Sequence, residues 1–184
     1  MAGNKKKARA EGRTIVFIDE SGLSLKPHHV RTWSPKGQTP VLEFAFNWKN
    51  ISAMAGVTFW NFYFRLFEGA IKSPQVIEFL KHLQCHVPGK LWIIWDGATI
   101  HRSCIVRDYI ESLGGKLWVE RLPAYAPELN PTEYLWGYWK QHELPNLCCR
   151  DLWQLSSHAA HALRRIRRKK SKLMTAFWKQ AELF

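Results

Sequence analysis

Long apolar runs are missing from this sequence, and so is any excess of acidic charge. No stretch approaches the roughly 18 consecutive apolar residues that a membrane-spanning helix needs. The first residues are polar and basic, where a secretory signal peptide requires an apolar segment. The sequence therefore predicts neither a membrane-spanning nor a secreted protein, and we expect a cytoplasmic one.

Cysteine is scarce and unpaired. The four cysteines include no Cys-x-x-Cys pair, and they stand at positions 85, 104, 148 and 149. The adjacent Cys148 and Cys149, followed by His158 and His161, match no familiar zinc spacing. We therefore expect reduced thiols without a bound metal, as in cytosolic proteins.

Apolar and aromatic residues, by contrast, are plentiful. They make up 46% and 14% of the 184 residues, with ten tryptophans, which excludes a disordered chain and a collagen-like one. Positive charge is concentrated at the two ends: the net charge is +12, of which residues 1–13 contribute +4 and residues 160–184 contribute +7. Basic ends on a near-neutral core are typical of proteins that bind a polyanion, because neutralising phosphates releases condensed counterions. The alternative is a solvated tail and a solvated helix face.

The first half of the chain has the pattern of β-strands. A continuous apolar run at 14–19 predicts a central strand, which Ser21-Gly22 would close. Residues 29–32 and 41–46 flank a turn rich in Pro and Gly and predict a hairpin. Residues 50–67 are β-rich and aromatic, so they predict two further strands.

The second half alternates between helices and strands. Buried strands are predicted at 91–95 and 117–122, and helices are predicted after Ser73-Pro74, at about 101–113, 130–142 and 151–170. Antiparallel strands followed by βαβ units indicate an α/β fold with a mixed sheet and helices packed on it.

Two aspartates follow buried strands. Asp19 ends the first apolar run and Asp96 ends the run at 91–95. If these strands are neighbours, both carboxylates emerge at one sheet edge, where at about 4 Å they would repel by roughly 4 kcal/mol. A divalent cation with hard oxygen ligands, Mg²⁺ or Mn²⁺, would remove that conflict. The alternative is that each Asp begins a turn.

A third carboxylate, Glu133, lies near the start of a predicted helix. With Asn130 as N-cap and Pro131 at the first helical position, Glu133 could close a capping box. Capping and catalysis remain equally supported by these local features.

Four segments together resemble the mariner-related bacterial insertion-sequence transposases, which are DDE-superfamily endonucleases. They occur in the family's order, and they are FIDESG at 17–22, RTWSPKGQTP at 31–40, WDGATIH at 95–101 and LPAYAPELNPTEYLW at 122–136. The resemblance implies an RNase H-like core: a mixed five-stranded sheet of three antiparallel strands followed by βαβ units, flanked by helices. It also implies that Asp19, Asp96 and Glu133 are the catalytic triad and hold two Mg²⁺ or Mn²⁺ ions.

The same resemblance implies DNA cleavage at insertion-sequence ends and strand transfer into a TA target, by a homodimer that holds double-stranded DNA. We expect a basic disordered lead-in at 1–13, the RNase H-like catalytic domain at 14–145, and a basic helical segment at 146–184 that packs on or extends it. Because so few residues precede the core, a helix-turn-helix polypeptide from an upstream reading frame is an expected partner. The location would be the nucleoid-associated cytoplasm of a bacterium.

Further residues are candidates for DNA contact. His101, five positions after Asp96, could touch a phosphate or a metal-bound water, or it could simply cap or pack. Lys140 shares a helix face with Glu133, where a DNA backbone could pass. The remaining candidates lie off the apolar stripe of the last predicted helix: Arg164, Arg165, Arg167, Arg168, Lys169 and Lys170. Glu20, by strand alternation, points to the face opposite Asp19.

Two other functions remain open. One is an RNase H-like metal-dependent nuclease that cuts without strand transfer. The other is a non-catalytic DNA-binding remnant of a mobile element, against which the intact triad argues.

Overall fold

A mixed five-stranded sheet forms the centre of the structure, a computed structural model that describes residues 7–8, 10–44, 49–123 and 126–183, the side chains of 170 and 171 excepted. The strands are β1 (Arg13–Ser24), β2 (Asn50–Val57), β3 (Phe62–Glu68), β4 (Lys90–Trp95) and β5 (Leu117–Arg121). Their order across the sheet is β3-β2-β1-β4-β5. The first three strands pair antiparallel, and β1, β4 and β5 pair parallel. The predicted α/β fold with a mixed five-stranded sheet is confirmed.

Helices cover both faces of this sheet. They are α1 (Ser73–His86), α2 (Cys104–Ser112), α3 (Pro131–Tyr138), α4 (Leu152–Arg168) and α5 (Lys170–Gln180). A 3₁₀ turn, Thr99–Arg102, precedes α2, and a π-helical turn, Trp139–Glu143, extends α3. Helices α1 and α2 share one hydrophobic core with the sheet, and α3, α4 and α5 share the other. Within the described residues, no helix is long and apolar enough to cross a membrane.

Strand alternation decides which side chains face which helices. On β1, Phe17 belongs to the core beneath α3, whereas Val16 and Ile18 belong to the core beneath α1. Two residues beyond Phe17, Asp19 lies on the α3 side. On β4, Ile94 likewise faces α3, so that Asp96 continues on the same side.

The register of β1 and β4 brings these two aspartates to the same level. Phe17 pairs with Ile94 in the parallel ladder, and two further residues along each strand lead to Asp19 and Asp96. β1 does not stop at Ser21-Gly22, as the sequence pattern predicted. It continues to Ser24 because β2 still supplies an antiparallel partner there, with Gly22 opposite Ser52.

The hairpin predicted from residues 29–32 and 41–46 is wrong as far as the structure describes it. The turn forms, with the N–H of Gln38 donating to the carbonyl of Pro35 at 3.0 Å, but residues 29–44 contain no strand. Most side chains here are exposed, and Trp33 is completely so. Without an apolar face to bury, β-propensity alone does not hold a strand. Residues 45 and 46 lie outside the described part.

Asn146 forms hydrogen bonds with the backbone of this segment, through its side chain and through its own N–H. Its side-chain oxygen accepts from the N–H of Val30 at 2.8 Å, and its amide nitrogen donates to the carbonyl of Val30 at 2.9 Å. Its own N–H donates to the carbonyl of His28 at 3.0 Å. The long connection between β1 and β2 is thereby tied to the turn that follows the π-helical segment.

The expected disorder of residues 1–13 does not hold for the part that the structure describes. Ala8 is buried, and Arg13 begins β1 with its side chain also buried. The Arg13 guanidinium lies 3.6 Å from the centre of the Trp118 ring and donates to the carbonyl of Gly115 at 3.0 Å. Residues 1–6 and 9 lie outside the described part.

The C-terminal helices pack on the sheet face that also carries α3. Helix α4 buries one stripe, which comprises Leu155, Ala159, Ala162, Leu163 and Ile166. From α5, the indole N–H of Trp178 donates to the carbonyl of Thr58 at 3.0 Å. The hydroxyl of Tyr134 on α3 donates to the carbonyl of Gln180 at 3.0 Å. The Tyr134 contact ties α3, the helix that carries Glu133, to the end of α5.

Candidate active site

Asp19 is held by hydrogen bonds to both of its carboxylate oxygens. Oδ1 accepts from the backbone N–H of Glu20 at 2.8 Å, and Oδ2 accepts from the indole N–H of Trp136 at 3.2 Å. Burial, followed by the negative charge of Glu133, raises the pKa of Asp19 to about 7, against the lowering effect of these hydrogen bonds. The site therefore concentrates more negative charge than it can hold without a proton or a cation.

Glu133 reaches the same region because the start of α3 is fixed against β1. The side chain of Asn130 caps the helix by accepting from the N–H of Thr132 at 3.1 Å. The Thr132 hydroxyl then donates to the carbonyl of Phe17 at 3.2 Å, and both Asn130 and Thr132 are buried. Glu133 follows directly in the first turn, with its carboxylate towards Asp19.

Asp96 leaves the end of β4 on a short turn. Its Oδ1 accepts from the N–H of Ala98 at 3.0 Å, and the same oxygen lies 2.9 Å from Nδ1 of His101. The alignment at Nδ1 is that of a close charge contact and not of a linear hydrogen bond. The Asp96 side chain is 54% exposed, so it borders solvent rather than the core.

One pocket of about 530 Å³ joins the three carboxylates. Its walls are formed by the middle of β1, the segments that follow β4 and β5, and the start of α3. Its lining comprises Asp19, Asp96, Gly97, Ala98, Thr99, Leu122, Pro123, Ala126, Pro127, Asn130 and Glu133. Among the described residues, no three His, Cys, Asp or Glu side chains already form a closed ligand cluster. The carboxylates surround the pocket instead.

This donor set fits Mg²⁺ or Mn²⁺. All three side chains offer hard oxygen atoms, and a cation would relieve the conflict that raises the pKa of Asp19. A closed cluster is unnecessary, because Mg²⁺ is commonly held by one or two carboxylates together with waters and substrate phosphates.

Sequence comparison assigns the chain to a family. The family model described as DDE superfamily endonuclease matches residues 14–156, which is most of the chain. The chain belongs to the DDE superfamily endonucleases. Comparison with curated protein sequences finds no match.

Solved structures show the same fold. The Mos1 mariner paired end complex with Mn aligns with a TM-score of 0.70 at 18% identity, over 98% of this chain and 58% of that one. The paired end complex with Mg gives 0.69 at 19% identity, over 98% and 56%. The catalytic domain of Mos1 mariner transposase gives 0.59 at 16% identity, over 95% and 87%. This DDE endonuclease thus has the fold of a transposase catalytic domain and spans just over half the length of the paired end complex chains.

His101, a predicted DNA contact, is enclosed by protein. Its side chain is 1% exposed, and its two ring nitrogens face the carboxylates of Glu20 and Asp96. Burial disfavours the imidazolium, but the hydrogen bond and charge of Glu20 and the charge of Asp96 outweigh it, so the pKa of His101 is raised. The enclosed ring supports the alternative that His101 packs, and its contact with DNA stays a prediction.

Lys140 lies on the π-helical turn beside the carboxylates. Burial lowers its pKa, and the negative charges of Glu133 and Asp19 oppose that change. Its ammonium group is therefore within electrostatic reach of two of the three carboxylates. Next to it, a Cβ added at Gly137 would meet no atom within 4 Å, so the surface between Glu133 and Lys140 is open.

The six basic residues near the C-terminus do not form one uniform surface. Glu143 attracts Arg165, with Nε to Oε2 at 2.7 Å, and Lys169, at 3.9 Å. Arg167 lies over the ring of Tyr63 at 5.5 Å. Arg164 and Arg168 are exposed, and no ion pair involving them occurs within the described residues. The side chain of Lys170 lies outside the described part.

Sequence reasoning missed the residues that hold the carboxylates in place. Trp136 is a buried residue of α3, and its indole N–H donates to Asp19. It follows Glu133 by three positions, and that helical spacing could have placed it on the same face. Glu20 was assigned to the opposite face, and there it binds His101. No local pattern predicts that pairing, because 81 positions separate the two residues.

Proposed function

We propose that this DDE endonuclease is the catalytic part of a transposase that cleaves DNA at insertion-sequence ends and transfers the strands into target DNA. One observation carries the proposal: carboxylates from β1, from the end of β4 and from the start of α3 line a single pocket. Three acidic side chains so distant in sequence have no evident structural reason to converge.

Asp19, Asp96 and Glu133 are the proposed catalytic and metal-binding residues. Asp19 and Asp96 would share one Mg²⁺ or Mn²⁺ ion, and Glu133 would hold a second. Such ions activate water or a 3′-hydroxyl and stabilise the leaving oxygen of the scissile phosphodiester. The chain orients the ligands through the hydrogen bonds to Asp19 and Asp96, and Lys140 supplies positive charge beside them for a phosphate backbone.

The partners that we propose follow from the same family. Mos1 mariner transposase has been solved as a paired end complex and as a strand transfer complex. We propose that this chain likewise binds double-stranded DNA as a homodimer at a TA target, with a helix-turn-helix polypeptide supplying recognition of the element's ends. The catalytic domain would comprise residues 14–145, with 146–184 as a basic helical segment on it, acting at the bacterial nucleoid.

Strand transfer is the activity that tests this proposal. The chain would be incubated with Mg²⁺, a TA-containing plasmid and duplexes with a pre-cut 3′-hydroxyl, taken from the DNA that flanks its gene. We expect covalent joining of the duplexes to the plasmid. Cleavage without joining would instead identify an RNase H-like nuclease, and binding without any reaction would identify a non-catalytic remnant.

Replacing one ligand tests the site itself. Asp96→Ala should abolish the Mg²⁺-dependent reaction while leaving the fold intact, because a half-exposed side chain contributes little packing. Asp108→Ala is the matched control, since Asp108 is exposed on α2, away from the pocket. Circular dichroism and thermal unfolding verify the fold of both variants. Undiminished reaction by Asp96→Ala would contradict the assignment.

A further inference from the structure

We propose that Glu20 and His101 are positioning residues that hold the Asp96 carboxylate in its ligating orientation and thereby set the affinity of the pocket for divalent cations. This inference rests on the proposed function, since the orientation of Asp96 matters to affinity only if the pocket holds cations.

The His101 ring is fixed by its surroundings. It stacks on Trp95, with the ring centres 4.3 Å apart and the planes inclined by 5°. Trp95 is itself a fully buried residue of β4, next to Asp96 in the chain. A stacked and enclosed ring has almost no rotational freedom, so the directions of its two nitrogens are determined by the core.

Each nitrogen meets one carboxylate. Nε2 lies 2.8 Å from Oε1 of Glu20, and Nδ1 lies 2.9 Å from Oδ1 of Asp96. The Glu20 side chain is 19% exposed, which makes it much less free than Asp96 at 54%. Glu20 therefore anchors the far side of the ring, and the ring restrains Asp96. Carboxylate–histidine contacts behind a metal ligand are a recurrent means of orienting it.

The contacts to Asp96 also give its two carboxylate oxygens different roles. The Ala98 N–H and His101 both approach Oδ1. Oδ2 is left for the pocket that Asp96 lines with Asp19 and Glu133. Without His101, only the turn hydrogen bond from Ala98 would restrain this half-exposed side chain, and rotation would carry Oδ2 away from the pocket.

Glu20 and His101 connect the two proposed metal ligands Asp19 and Asp96, although Asp19 and Glu20 lie on opposite faces of the sheet. Asp19 lies on the α3 face of β1, and Glu20, the next residue, lies on the opposite face by strand alternation. Glu20 binds His101 on that second face, and His101 reaches round the end of β4 to Asp96. Adjacent residues of β1 thus supply one ligand directly and support the other through the histidine.

Two isosteric substitutions separate positioning from packing. His101→Asn keeps a nitrogen at the place of Nδ1, towards Asp96, and His101→Gln keeps one at the place of Nε2, towards Glu20. Both variants lose the ring that stacks on Trp95. A packing role predicts equal effects. The positioning role predicts that the Gln variant, which loses the group that faces Asp96, binds cations more weakly than the Asn variant, which loses only the Glu20 anchor and the ring charge.

The measurement is Mn²⁺ binding, followed by the electron paramagnetic resonance signal of the free ion. We expect His101→Gln to weaken binding about tenfold, the range seen when an outer-shell residue is lost, and His101→Asn, which keeps a donor towards Asp96 but loses the Glu20 anchor, to weaken it less, by about threefold. Thermal unfolding verifies that both variants fold. His158→Asn and His158→Gln are matched controls on an exposed position of α4, and they should leave binding unchanged.

Failure of the inference and failure of the proposed function give different results. If the unmodified chain binds no Mn²⁺ even when duplex DNA is present to supply phosphate ligands, the proposed function is overturned. If it binds Mn²⁺ and the Asn and Gln variants bind it equally, the positioning role is overturned and the proposed function stands.

A measurement on the unmodified chain covers the case in which neither variant folds. Addition of Mg²⁺ to protein with ¹⁵N-labelled histidine should shift the ring resonances of His101 and leave those of His158 unchanged. A His101 ring that does not respond while Mg²⁺ binds would contradict the contact with Asp96.

Discussion

At the scale of single residues, Asp19 concentrates the electrostatic conflict of the pocket. Burial and the Glu133 charge raise its pKa from 3.8 to about 7. An acid with a higher pKa in the folded state binds its proton more tightly there, so protonation of Asp19 favours folding. This contribution is fully present below about pH 4 and is lost as the pH rises through 7.

We therefore predict that Asp19→Asn changes the pH dependence of stability in metal-free buffer. Between pH 4 and pH 8, the free energy of unfolding of the unmodified chain should fall relative to the variant by as much as about 4 kcal/mol, since one pKa unit corresponds to about 1.4 kcal/mol. Urea unfolding with a chelator present measures it. Asp108→Asn, on an exposed position, should run parallel to the unmodified chain. A constant difference between Asp19→Asn and the unmodified chain would contradict the pKa shift.

The raised pKa of Asp19 also makes the cation affinity of the pocket depend on pH. A ligand that must lose a proton binds Mg²⁺ less well below its pKa, so the apparent affinity should fall about tenfold per pH unit below 7 and level off above it. Calorimetry in buffers of different ionisation enthalpy should detect the release of nearly one proton at pH 6 and almost none at pH 8. Release that does not depend on pH would contradict the binding of a cation by an Asp19 with a raised pKa.

At the scale of elements, α3 is the part of the fold that delivers Glu133. Its first turn is fixed by the Asn130 cap and by the hydrogen bond from Thr132 to Phe17. Tyr134, the residue after Glu133, ties the same part of the helix to Gln180 at the end of α5. The helix is only eight residues long before the π-helical turn begins, so its direction depends on these contacts more than on helix propensity.

We predict that Asn130→Ala lowers the free energy of unfolding by about 1 kcal/mol, the usual cost of losing an N-cap side chain. Asn130→Ser keeps a capping oxygen and should recover most of that loss. Urea unfolding of the three proteins at one pH measures both effects. Equal stability of the Ala and Ser variants would show that the cap does not contribute, and the start of α3 would then depend on Thr132 alone.

At the scale of the whole molecule, positive charge is unevenly available for DNA. Arg13 is used inside the fold, over the Trp118 ring, and Arg165 and Lys169 are drawn to Glu143. Arg164 and Arg168 remain exposed on α4, on the sheet face that also carries α3. These two arginines are therefore the candidates on this face for contact with DNA bound at the pocket.

We therefore predict that the double variant Arg164→Gln/Arg168→Gln flattens the salt dependence of DNA binding. The slope of log affinity against log salt should fall by up to roughly 0.9 for each phosphate contact that is lost. Lys81→Gln/Arg107→Gln removes the same charge from α1 and α2, on the other sheet face, and should leave the slope nearly unchanged. Equal slopes for the two double variants would show that the DNA does not contact Arg164 and Arg168.

Much of the architecture was predictable from the sequence because burial is periodic. The continuous apolar runs that precede Asp19 and Asp96 predict central strands, each run followed by an acid, and the parallel register places the two acids level with each other. Asn130 followed by Pro131 predicts the start of the helix that carries Glu133. In each case the signal lies within a few consecutive residues, and each residue's environment follows from its neighbours in the chain.

Only the tertiary structure decided which side chains meet across the chain. It placed Glu20 and Asp96 on the two nitrogens of His101, gave Asp19 its hydrogen bond from Trp136, and left residues 29–44 without a strand. Composition and periodicity determine which face of an element is buried. Contacts between residues some 80 to 120 positions apart depend on register and on the path of the connections, because a shift of one residue moves a side chain to the other face of the sheet.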